Sequence, residues 1–69
     1  MGLSPGDVVF YSSALGSVMD RKISYKRTEM GLDPRIQATI SYISGEYAYL
    51  RISSRTGHTK ILLTNLETY

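Results

Sequence analysis

Tyr47, Tyr49 and Arg51 stand at alternate positions of one short run, Tyr-Ala-Tyr-Leu-Arg-Ile. Alternate residues of an extended strand share a face, so two phenol rings and a guanidinium would project together. Rings beside cations on an exposed sheet suit a protein surface, an extended peptide or stacked bases. Lys60 on the next run and Arg55 in the connection between them extend the same surface. Tyrosine and arginine are also enriched where proteins meet one another, so an oligomer contact is equally served by these residues. A purely structural role competes with these readings, because cross-strand tyrosine pairs stabilise a sheet by roughly 0.2–1 kcal/mol with no ligand.

A second cluster is Arg21-Lys22-Ile23-Ser24-Tyr25-Lys26-Arg27, in which paired cations flank an aromatic residue. Arg21, Lys22, Lys26 and Arg27 on a mobile loop would grip phosphates without sequence preference, and the interaction would weaken with salt. The formal net charge of the chain is +2, and the basic excess falls between Asp20 and Arg35. That points modestly to an acidic partner and is far from the basic stripe of a dedicated nucleic-acid binder.

Catalytic constellations are not legible. The carboxylates Asp7, Asp20, Glu29, Asp33, Glu46 and Glu67 are scattered, and Asp7 and Asp33 read as turn formers. With no Cys and one His there is no nucleophile–base pair and no basis for a zinc site. His58, in Thr56-Gly57-His58-Thr59, reads as an exposed loop histidine. The six glycines are isolated and spaced as turns, so no phosphate-cradling loop is formed. The reading is therefore non-enzymatic, without cofactor or metal.

These residues need a scaffold, and the pattern is β. Pro5-Gly6 is a turn, and Asp7 to Tyr11 is a β-branched and aromatic strand. Arg35 to Ile43 alternates, with Ile36, Ala38, Ile40 and Tyr42 expected to face the core. Tyr47 to Ser53 follows after a Gly-containing turn, which is a hairpin signature, with Ala48, Leu50 and Ile52 inward. Thr59 to Leu63 forms the next strand, with Thr59, Ile61 and Leu63 on one face. Asn65-Leu66-Glu67 is a final turn, with Tyr69 after it. Val18 to Tyr25 shows no helical apolar stripe and suits an irregular strand, Lys26 to Pro34 is broken by Gly31 and Asp33-Pro34, and Ser12 to Pro34 is taken as one excursion. It reads as a long loop excursion, of the kind that is usually functional or disordered. Val9, Tyr11 and Leu62 are placed on outer faces, where they would form an apolar contact patch.

Five short strands, a long first loop and short later hairpins make up the pattern of an all-β, five-stranded SH3-like small barrel over residues 1–69. Closing such a sheet removes its unpaired edges. Gly6-Asp7-x-Val9, Gln37-Ala38-Thr39-Ile40, Gly45-Glu46-Tyr47-Ala48, Gly57 with Ile61, and Leu66-Glu67 occur in an order similar to the plasmid-encoded type II dihydrofolate reductases. That resemblance implies the fold. In that family a Val-Gln-Ile-Tyr strand lines the active pore of a tetramer. The matching positions here are Thr59-Lys60-Ile61-Leu62, of which only Ile61 agrees, so the reductase activity is not carried over.

At 69 residues this is one small domain, which buries only about 60% of the surface of its unfolded chain. Without disulfides such a domain relies on close packing or on oligomerisation. There is no apolar run long enough for a transmembrane helix and no secretory leader, so a cytoplasmic protein is expected. The expected function is an interaction module that binds a protein partner or assembles with itself through the outer face of the third and fourth strands. Nucleic-acid binding through the same face and the basic segment is the alternative, and a pore-forming, reductase-like tetramer is the remote one.

Overall fold

The computed structural model describes residues 2–53 and 55–68. It contains strand β1 (Val8–Tyr11), helix α1 (Val18–Glu29), and strands β2 (Ile36–Ser44), β3 (Tyr47–Arg51) and β4 (Thr59–Leu62). Short 3-10 turns lie at Ser13–Leu15 and Leu63–Asn65. The strands form one antiparallel sheet in the order β1-β2-β3-β4. No helix among the described residues is long and apolar enough to cross a membrane. The position of Tyr69 and that of Ser54 in the β3–β4 connection lie outside the described residues.

The β2–β3 hairpin follows the sequence pattern. Gly45 takes φ +60, the left-handed conformation that a two-residue turn demands and that a side chain would strain. Ala48 and Leu50 point inward, opposite Tyr47, Tyr49 and Arg51. The core is Val9, Tyr11, Ile36, Ala38, Ile40, Ala48, Leu50 and Ile61, with Leu3, Ile43, Ile52, Leu63 and Leu66 packed around it. Full burial of a side chain such as Ile40 or Leu50 contributes about 2 kcal/mol.

Four expectations need correction. Ser12 to Pro34 is not a long loop, because most of it is α1. The helix starts with a capping box: Ser17 Oγ accepts from Asp20 N at 3.4 Å, and Asp20 Oδ2 accepts from Ser17 N at 3.1 Å. It ends at Met30, with Gly31 at φ +73 just beyond. Only Asp20 of the helix is buried, so there was no apolar stripe to read. Tyr42 faces out, because a bulge between Ile40 and Tyr42 adds one residue to β2 and reverses the alternation. Ile43 takes the inward position instead. Val9 and Tyr11 are fully buried, so the expected outer patch on β1 does not exist; on that strand it is Val8 that is exposed. The fifth strand is reduced to one bridge. Phe10 N donates to Glu67 O and Glu67 N to Phe10 O, each at 2.8 Å, so the segment after β4 returns to the free edge of β1.

Candidate interaction face

The outer face of β2, β3 and β4 carries an ordered row of polar aromatic side chains. Register pairs Tyr42 with Tyr49 and Tyr49 with Lys60 across the three strands. The Tyr42 and Tyr49 rings stack with centroids 4.5 Å apart and planes within 10°. Neighbouring strands are about 4.8 Å apart. Rings that face one another over that gap must stand upright on the sheet, with edges and hydroxyls toward solvent. His58 meets Tyr42 edge-on at 5.5 Å, and its Nε2 lies 3.1 Å from Ser41 Oγ. Lys60 Nζ sits 4.2 Å over the Tyr47 ring, a cation–π contact that places the ammonium beside Tyr47. The outward residues Thr39, Tyr42, Ser44, Tyr47, Tyr49, Arg51, Lys60 and Leu62 include two cations and no carboxylate.

Of the residues singled out from sequence, the fold therefore brings Tyr47, Tyr49, Arg51 and Lys60 onto one face. Tyr42 and His58 join them, although the alternation of β2 pointed Tyr42 the other way. Only the bulge reveals its place. Arg55 is drawn elsewhere. Its Nη1 lies 2.5 Å from Oδ1 of Asp20, which has no exposed surface. Asp20 also accepts a 2.8 Å hydrogen bond from the Tyr11 hydroxyl. Burial first, and that hydrogen bond second, push the Tyr11 phenol far above its ordinary range.

The basic segment sits on α1 rather than on a loop. Arg21, Lys22 and Lys26 are exposed, and Arg27 Nε donates to Asp33 O at 2.6 Å. Tyr25, Val18 and Met19 are exposed beside them. Among the described residues, no hydrogen bond, ion pair or recess joins these four cations to the tyrosine row. Asp33 and Arg35 form a separate exposed pair at 2.7 Å. The Arg35 guanidinium holds the Asp33 carboxyl down at about 2. Arg35 also reaches Glu67 at 3.1 Å and covers the Phe10 ring at 4.7 Å, which staples the bridge that returns to β1.

Beside the tyrosine row, the β3–β4 connection frames an open recess of about 510 Å³, lined by Ser41, Arg51, Arg55, Thr56, Gly57 and His58. A neighbouring hollow shares Arg51 and Arg55 and adds Thr39, Ile52 and Ser53. Comparison with known proteins gives no matching family model, no matching curated protein and no matching solved structure.

Proposed function

We propose that this chain is a non-enzymatic interaction module that binds a protein partner through the outer face of β3, β4 and the adjacent part of β2. The observation that carries this reading is the upright Tyr42–Tyr49 stack. One face of each ring is turned toward the other, and the edges and hydroxyls remain for a partner. A surface of that kind offers rigid aromatic area and hydrogen bonds at little entropic cost, as protein-binding surfaces do. Arg51 and Lys60, with no carboxylate on the outward positions of the same strands, favour a partner surface that bears acidic groups. They weigh against face-to-face self-association, which would bring the same cations together.

The scaffold reading that goes with this is an SH3-like small barrel. The two Phe10–Glu67 backbone bonds support it, because they place the segment after β4 where a fifth strand would close the sheet against β1.

Panning a random peptide library displayed on phage against the immobilised protein tests the proposal. Enriched peptides should be acidic and should lose at least about tenfold in affinity to Tyr49→Ala or Tyr42→Ala. Enriched peptides that bind these variants unchanged would overturn it. So would a single-stranded oligonucleotide that binds through the same tyrosines more tightly than any selected peptide.

A further inference from the structure

The recess at the end of the tyrosine row has a chemistry of its own. Its lining is two arginines, two hydroxyl side chains, a histidine and a glycine, and it contains no carboxylate. Arg51 is exposed and makes no ion pair among the described residues, so its charge and its planar fork of N–H donors are available. Thr56 and the Ser41–His58 pair, hydrogen-bonded to each other at 3.1 Å, add further polar groups around it. Gly57, at φ +79, turns the backbone at the lip.

Arg55 forms part of the wall in a different way. Its charge is balanced by Asp20 behind it, yet its Nη2 is buried without a hydrogen-bond partner among the described residues. Because Nη2 has no exposed surface, Arg55 shapes the wall, and the groups left to meet a ligand are Arg51, Thr56 and the Ser41–His58 pair. Two oxygen acceptors, as in a carboxylate, would not use this set of donors. A phosphate monoester, with three free oxygens and close to two negative charges, would.

We propose that this recess binds a phosphoryl group, carried as a phosphomonoester on a side chain of the protein partner. Arg51 is the principal ligand, and Ser41, Thr56 and His58 complete the cradle. The identity of the carrier rests on the reading of the adjacent face as a protein-binding surface; the phosphoryl site itself does not. A partner lying along Tyr42 and Tyr49 would place an acidic or phosphorylated residue at Arg51 without leaving the sheet. A nucleic acid would offer a phosphodiester, which has two free oxygens and a single charge.

The test is an NMR titration of the isotope-labelled protein, first with inorganic phosphate and then with chloride at matched ionic strength. The resonances of Ser41, Arg51, Gly57 and His58 should shift saturably with phosphate only, with a dissociation constant of about 1–10 mM, the weak range proper to a small ion. Arg51→Gln should abolish the saturable shifts, and Arg51→Lys should restore part of them. An acidic peptide selected on the tyrosine face should then bind at least about tenfold more tightly when it carries one phosphoserine or phosphotyrosine. Shifts that are linear in concentration, equal for chloride, or unchanged in Arg51→Gln would overturn the site. A thymidine oligonucleotide that displaces phosphate and outbinds every phosphopeptide would overturn the carrier. The variants separate the two readings. Tyr49→Ala should lose the peptide and keep phosphate, whereas Arg51→Gln should lose the saturable phosphate shifts and the tenfold gain that phosphorylation gives the peptide, while the unphosphorylated peptide weakens but still binds through the tyrosines.

Discussion

Arg55 reaches from the β3–β4 connection to Asp20 in the first turn of α1, with Nη1 2.5 Å from Oδ1. Asp20 is the one fully buried charge among the described residues, and it is tied at the same time to Tyr11 of β1 and to Ser17 of the helix cap. One carboxylate thus joins three parts of the chain. The loop that frames the proposed phosphoryl recess is anchored by the same pair that docks the helix.

Removing one partner of a buried pair leaves the other charge uncompensated. Arg55→Ala should therefore lower the free energy of unfolding by about 3 kcal/mol in urea denaturation. Amide hydrogen exchange should rise first in the opening turn of α1. A loss below about 0.5 kcal/mol, the range of a surface substitution, would show that the pair does not hold the helix.

Gly16 lies against the same carboxylate. A Cβ built there would sit 1.9 Å from Asp20 Oδ2, while the backbone at φ −108 is open to any residue. The cost of Gly16→Ala is therefore steric, about 1–3 kcal/mol as for overpacking of a filled core. A thermodynamic cycle with Asp20→Ala should show strong coupling, since shortening Asp20 removes the clash. Additive effects would place the constraint elsewhere.

Tyr11 gives the pH dependence on the alkaline side. Its phenol is raised in the folded state, so the unfolded chain loses this proton first as pH rises. The stabilisation is fully present below the ordinary 10.0 and is lost above it as pH climbs toward the folded value. In a spectrophotometric titration one tyrosine should stay protonated until the protein unfolds, and Tyr11→Phe should remove that step. Tyr11→Phe should also cost about 2 kcal/mol at neutral pH, the loss of one hydrogen bond to a buried carboxylate. A normal phenol titration in the folded protein would refute the buried contact with Asp20.

Asp33 acts on the acid side. Its carboxyl is held at about 2 by Arg35, so its contribution is present above the ordinary carboxylate value and is lost as pH falls through about 2. Carbon-detected NMR should show Asp33 titrating well below the other carboxylates. Arg35→Gln should return it toward about 3.9. No movement in that variant would mean the pair does not form in solution.

The β hairpin was legible because alternation and a turn glycine are local signals. Ala48 and Leu50 on one side, and Tyr47, Tyr49 and Arg51 on the other, follow from period-two geometry alone. The helix was hidden for the opposite reason. Its buried contact is a single aspartate, so hydrophobic periodicity was silent. The available sign was Ser17-x-x-Asp20, a capping box, placed well before the breakers Gly31 and Pro34. Tyr42 was misplaced because a bulge is a property of two strands in register, and neither strand alone announces it.

What the sequence by itself determined is the four strands, the inward and outward residues of β3, and the tyrosine–cation chemistry on it. These rest on nearest-neighbour geometry, which a chain carries in its own order. Only the tertiary structure decided that Tyr42 stacks on Tyr49, that Arg55 turns inward to Asp20 and that Glu67 returns to β1. The last two join residues far apart in the chain, and the first depends on a bulge in the β2–β3 register. A buried charge finds its partner by the cost of being left unpaired in a low-dielectric interior, and that cost exists only once the chain has closed around it.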